Sequence, residues 1–182
     1  MNLEQFLTDI RREFSRLRQL ADGAISQVNT EEMFDSLNEE VSNSIAVIMK
    51  HLAGNMRSRW RDFLTTDGEK PDRHRDMEFE ITQDDDFNNL HKQWETGWQI
   101  LTNTLETLTP ADLSRTITIR GEPLLVSQAL LRQLSHYAYH VGQIVFLAKH
   151  FTGDAWESLS IPKGKSEDFN RNPGKYLDES EE

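Results

Sequence analysis

Six histidines lie in this chain of 182 residues, and three of them carry the strongest chemical signal. His136 and His140, in Leu134-Ser135-His136-Tyr137-Ala138-Tyr139-His140, have the spacing H-x3-H. On an α-helix that spacing sets two imidazoles one turn apart on the same side, where both can reach one divalent cation. His51, in His51-Leu52-Ala53-Gly54-Asn55, sits near the middle of another amphipathic segment that helix packing can bring opposite the pair. Three protein ligands leave one coordination position open, which a catalytic metal needs and a structural one usually lacks. For an isolated pair of histidines the competing explanation is two polar residues on a solvated face; His51 moves the balance toward a site.

Other residues bear on the same chemistry with weaker patterns. Arg57, Arg59 and Arg61, with Arg73 and Arg75 further on, could grip a carboxylate or an anionic thiol through charge-assisted hydrogen bonds, although solvated charges paired with nearby acids are the commoner outcome. Asp62, Glu69, Asp76, Glu78 and Glu80 surround the same stretch; any one could orient an imidazole or a water, and no spacing selects among them. Gln143 lies one turn beyond His140, where it could hydrogen-bond a ligand or simply be exposed. His74 sits among charges and could approach the cleft, although a surface histidine is the commoner outcome. His91 falls on a polar helix side, and His150 lies about 15 Å along the helix from His140, too far to share an ion. No Gly-rich phosphate loop, nucleophile elbow or HExxH pattern occurs, so no catalytic residue is assigned from a motif.

The elements that must position the histidines are mostly helical. Leu3, Phe6, Leu7, Ile10, Phe14, Leu17 and Leu20 recur every three or four residues and define a first helix, which Ala24, Ile25 and Val28 can extend past Gly23. A polar connection, Asn29 to Asn38, leads to a second helix capped near Asn43, with Ile45, Ile48, Met49, Leu52, Met56, Trp60 and Phe63 on one face and His51 at its edge. Thr65 to Gln83 reads as a long loop. A third helix runs from about Asp84 through Trp94, Trp98 and Leu105 to Leu108, with Pro110 after its end. Thr116-Ile117-Thr118-Ile119, the turn Arg120-Gly121-Glu122 and Pro123-Leu124-Leu125-Val126 predict a small hairpin. The fourth helix starts near Ser127 and ends at Gly153, and Asp154 to Leu159 can add a short turn.

These elements predict an all-α four-helix bundle, with the long loop between helices two and three and the hairpin before helix four. One domain over residues 1–166 and a polar, acidic tail over 167–182 are expected, the tail fraying at Asp178 to Glu182. At about 100° per residue, the apolar arc of the fourth helix centres near Val141, placing His140 and His136 roughly 100° and 140° away. All three histidines are therefore expected at the rim of the bundle, outside its core and beside a cleft that water or substrate could enter. The four tryptophans are expected to be packing residues.

Composition removes several classes. Acidic residues outnumber basic ones 31 to 20, for a net charge of -11, so a polyanion is repelled by the average surface and nucleic-acid binding is disfavoured. No apolar run approaches the roughly 20 residues of a membrane span, and Met1-Asn2-Leu3-Glu4 lacks a secretory pattern. A soluble cytoplasmic protein is expected. Cysteine is absent, which excludes disulfides, zinc-thiolate sites and a cysteine nucleophile from this chain; any sulfur chemistry must bring its own thiol.

Taken together, His51-Leu52-Ala53-Gly54-Asn55 with Asn55-Met56-Arg57-Ser58-Arg59-Trp60, the segment His136-Tyr137-Ala138-Tyr139-His140-Val141-Gly142-Gln143, and Trp156-Glu157-Ser158-Leu159-Ser160-Ile161-Pro162-Lys163-Gly164-Lys165-Ser166 resemble the DinB/YfiT-like superfamily over nearly the whole chain. The resemblance is specific in fold and ligands and much less so in reaction. It implies a four-helix bundle, frequently a homodimer, with a divalent metal on three histidines that correspond to His51, His136 and His140. Zinc is the first expectation, with nickel, manganese and iron as alternatives. Better-understood relatives imply metal-dependent transfer or isomerisation with a low-molecular-weight thiol and a small electrophile, or hydrolysis if water takes the thiol's place. A non-catalytic metal-stabilised or metal-sensing dimer is the alternative.

Overall fold

A computed structural model describes residues 2–38 and 41–171. Helix α1 (Leu3–Ile25) opens on Asn2, whose side chain accepts the backbone N–H groups of Glu4 and Gln5, and Gly23 lies within it. The connection that follows is not all irregular. An Asn29/Glu32 capping box starts the short helix α2 (Thr30–Phe34), and this turn persists because it buries Met33. Helix α3 (Ile45–Trp60) is capped by Ser44, one residue later than the sequence suggested: its Oγ accepts Val47 N–H at 3.2 Å. It also stops at Trp60, so Phe63 is buried from the turn beyond, where Asp62 has φ 50.

Helix α4 (Phe87–Thr107) is capped by Asp86. The hairpin pairs β1 (Thr116–Ile119) with β2 (Glu122–Leu125), antiparallel, with Ile119 opposite Glu122. Its two-residue turn places Arg120 at φ 57 and Gly121 at φ 76, the left-handed pair that a type I′ hairpin requires and that glycine adopts without steric cost. Val126, read as the end of the second strand, is the first residue of α5 (Val126–Thr152), which Gly153 terminates at φ 59. A 3₁₀ turn over Gly153–Ala155 follows, and Ser166–Arg171 forms a short helix α6 where the sequence suggested only polar tail. The acidic end, Asp178 to Glu182, lies outside the described residues.

The molecule is thus mostly helical with one two-stranded antiparallel hairpin. The four long helices pack α3 on α4, α1 on α5, α3 on α5 and α1 on α4. Gly97 lets α3 and α4 approach closely: a Cβ there would stand 3.2 Å from Ala53 Cα. Trp60, Trp94, Trp98, Tyr137 and Phe14 fill the centre, with Phe14 edge-on to Trp60 at 5.8 Å and to Tyr137 at 5.9 Å. Trp60 Nε1–H donates to Tyr137 Oη at 2.9 Å, and Tyr137 donates to Asn55 Oδ1 at 3.0 Å, a polar thread that fixes α3 against α5 beside His51. Among the described residues no helix is long and apolar enough to cross a membrane.

Candidate metal centre

Packing of α3 on α5 brings His51 opposite His136 and His140, the juxtaposition that helix packing was expected to allow. One ring nitrogen from each lies within 4.8 Å of the others. His51 Nε2 and His136 Nε2 are 3.4 Å apart; two imidazoles held about 2.0–2.1 Å from one tetrahedral ion stand about 3.3 Å apart. The rings meet at large angles, with centroids 5.4 Å apart for His51 and His136, 5.0 Å for His51 and His140, and 4.9 Å for His136 and His140.

The outer ring nitrogens fix the tautomers. His51 Nδ1 lies 2.9 Å from Glu78 Oε2, and His140 Nδ1 lies 2.8 Å from Gln143 Oε1. A carboxylate only accepts, so His51 Nδ1 carries the proton and its Nε2 presents a lone pair; with the Gln143 amide oxygen turned toward it, His140 does the same. Neutral imidazoles gathered in this way are the donors that a divalent ion takes, so the set fits one. Burial is the main cause that lowers His136 to about 3, with the charges of His140, His51, Arg59 and Arg73 adding to it. Burial also lowers His140 to about 4, against the opposing hydrogen bond with Gln143. Both rings are neutral at physiological pH, the form that ligates metals.

The three histidines line an open cleft, as expected, but they lie deeper than a rim position suggests: His51 and His140 are buried, at 4% and 7% exposure, and only His136 is half-buried. A further layer lies over α3. The long loop folds back over α3. Ser58 Oγ donates to Gly68 O at 2.8 Å and accepts Lys70 N–H at 3.0 Å, and Gly68 N–H donates to Thr118 O at 2.8 Å. Held in this way, the loop forms a 3₁₀ turn, Arg75–Phe79, packed against α3. It delivers Glu78 to His51 and stacks the Phe79 ring 4.9 Å from the imidazole.

Among the five acids that spacing left undecided, Glu78 is the one at the site. Burial alone would raise its carboxyl, but hydrogen bonds from His51 and Arg73, with the charge of Arg73, outweigh that and hold it below the usual range. Gly54 makes room for it: a Cβ there would stand 2.7 Å from Glu78 Cδ.

The arginines divide. Arg57 and Arg61 pair with exposed Asp72, as expected for surface charges. Arg59 and Arg73 do not behave so: their side chains are only 6% and 4% exposed, in ion pairs with Glu69 and Glu78. They anchor the loop. His74, His91 and His150 are exposed and apart from the cluster. An open cavity of about 510 Å³ adjoins the three histidines, walled by Asn55, Phe79 and Tyr139 among others. The sequence reading passed over Gln133, buried on α5 in the same cavity. Its spacing to His136 and His140, i, i+3 and i+7, was the available signal.

Fold and site together define a class: a mostly helical protein whose facing helices bring three histidines close enough to bind a metal. Residues 2–165 match the model of the family described as "Protein of unknown function (DUF1572)", and the chain belongs to that family. Neither a curated protein nor a solved structure matches it.

Proposed function

We propose that this chain is a metalloenzyme built on a DinB/YfiT-like four-helix bundle, with His51, His136 and His140 as protein ligands of one divalent ion, zinc in the first instance. Its reaction is transfer to or from a low-molecular-weight thiol. The observation that carries this reading is the convergence of three imidazoles on one point beside an open cavity, with two of them orientated from behind by Glu78 and Gln143. A divalent ion on such ligands supplies Lewis acidity, enough to deprotonate a thiol, or a water, near neutral pH. The residues do the rest. Glu78 keeps the His51 Nδ1 proton in place, Gln143 does the same for His140, and Phe79 and Tyr139 wall the space in which a substrate would lie. A chain without cysteine must take its sulfur nucleophile from solution.

The test is titration of cobalt-substituted protein with glutathione, bacillithiol or mycothiol, together with turnover assays on small electrophiles. A visible charge-transfer change on adding thiol, with thiol-dependent product, is expected. Product formed without thiol would indicate hydrolysis. Metal retention with no turnover would leave a metal-stabilised or metal-sensing binding protein. We also propose that the protein is a homodimer. Leu131, Tyr139 and Phe146 stand exposed on α5, with Leu37 and Val41 exposed on the connection between α2 and α3. Light scattering should give twice the chain mass, and Phe146→Asp should reduce it to that of a monomer; a monomeric parent protein would rule the dimer out.

A further inference from the structure

We infer that the arginine-rich wall of the cavity beside the three histidines is an oxyanion subsite, holding a carboxylate or phosphate group of the small molecule that this site acts on. That the anion is a substrate rests on the metal-centre reading; that the wall binds an anion does not.

Among the described residues five arginines line this cavity, Arg59, Arg73, Arg75, Arg120 and Arg132, and no carboxylate does. The chain as a whole carries a net charge of -11, so this local sign is a reversal. The acids behind the wall leave it positive. Glu69 is shared by Arg59 at 2.7 Å, Arg73 at 3.3 Å and Arg120 at 3.2 Å, and Glu78 divides itself between Arg73 and His51. Arg75 pairs with Asp76, itself 96% exposed, at 3.5 Å, and its guanidinium stands 5.0 Å over the Phe79 ring. Arg132 has no ion pair among the described residues. Tethering of the loop explains Arg59, Arg73 and the pairing of Arg120 with Glu69, but gives no reason for Arg75 and Arg132 to stand exposed around the same opening.

A second observation is independent of charge. Gln133 is 4% exposed, lines the cavity on the helix face that carries His136 and His140, and its buried Oε1 has no hydrogen-bond partner. The buried Nε of Arg59, in the same wall, is likewise unpartnered. Buried polar atoms left unpaired cost stability, and each calls for a partner. The Gln133 amide also carries an N–H₂ group, the donor that an oxyanion accepts from. Guanidinium groups bind carboxylate and phosphate oxygens in a bidentate manner. Their field also draws anions from solvent into the cleft. The volume, about 510 Å³, is that of a small-molecule site, and an anion held on this wall lies in the same cavity as the three ring nitrogens.

The experiment is calorimetric titration of the full chain with malonate and, separately, with inorganic phosphate, at ionic strength held constant with chloride. It is run on metal-free protein, and with malonate also on zinc-loaded protein. Saturable binding of at least one probe to metal-free protein is expected. The double variant R75Q/R132Q should bind about tenfold more weakly with its zinc content and melting temperature unchanged, and Gln133→Leu should weaken binding while leaving the arginines in place. Preference for malonate or for phosphate distinguishes the two oxyanion sources. The inference is overturned if neither probe binds, or if R75Q/R132Q binds as tightly as the parent. Anion binding by a protein that retains no metal would sink the metal reading alone; metal retention without anion binding would sink this one alone.

Discussion

Glu78→Gln separates the orientation of His51 from the presence of His51. The carboxylate accepts three hydrogen bonds: His51 Nδ1 at 2.9 Å and Arg73 Nη2 at 2.9 Å on Oε2, and Arg73 Nε at 2.8 Å on Oε1. An amide offers one oxygen and one N–H₂, so at least one of these donors faces another donor. The negative charge that balances Arg73 is also lost, leaving only Glu69 at 3.3 Å. Breaking a buried ion pair from one side costs about 3 kcal/mol at the low end of its usual range. Loss of an outer partner of a ligating histidine lowers metal affinity about 10- to 100-fold, roughly 1.4 to 2.7 kcal/mol. At free zinc of 100 times the parent Kd, binding adds about 2.7 kcal/mol to folding stability; a 100-fold weaker variant keeps about 0.4 kcal/mol. Calorimetric melting with and without zinc, beside chelator competition, reads both quantities. Gly54→Ala reaches the same place by another route. Alanine is the better helix former by about 1 kcal/mol, yet its Cβ would stand 2.7 Å from Glu78 Cδ and push the carboxylate aside, so zinc affinity should fall although helix propensity rises. If both variants keep the parent's affinity and zinc-dependent melting shift, Glu78 does not orient the site and the reasoning is wrong.

Two further outcomes concern the frame around the site. Tyr137→Phe removes the fully buried hydroxyl between Trp60 Nε1 and Asn55 Oδ1; denaturant unfolding should show a loss of about 2 to 4 kcal/mol for two groups left unpaired, with zinc stoichiometry unchanged. Asp67 accepts the backbone N–H groups of Glu69 at 2.7 Å and of Arg120 and Gly121 at 2.8 Å. Burial works against its ionisation, but these bonds prevail and lower its carboxyl to about 2. Because the folded value lies below the unfolded one, Asp67 contributes stability above about pH 4 that fades as pH falls toward 2. Asp67→Asn should therefore be less stable than the parent at neutral pH, and urea midpoints of the two should converge between about pH 4 and pH 2.

Local patterns carried the long helices, the hairpin and the histidine trio, because each is written in periodicity or in a spacing of three or four residues. The H-x3-H pair fixes His136 and His140 on one side of α5 whatever surrounds it. What the sequence could not show was set by contacts distant along the chain. His51 is buried because the loop after α3 folds back through Ser58, Gly68 and Thr118 and lays Glu78 and Phe79 against it, a closure that helical arcs do not contain. The same fold chooses Glu78 over Asp62, Glu69, Asp76 and Glu80, all equivalent in composition, by seating it in the space that Gly54 leaves. Arg59 and Arg73 turned inward for a related reason: each has a carboxylate within hydrogen-bonding distance only once the loop has closed. Gln133 shared its helix face with the histidines throughout, and a search for polar residues in step with the ligands would have found it.

Metal content of the untagged chain, measured by mass spectrometry after dialysis, tests the central claim most directly. One divalent ion per chain is expected, falling to background in His51→Ala, His136→Ala and His140→Ala while circular dichroism still shows folded helix. A folded parent protein that carries no ion and takes none up from a zinc titration would contradict it.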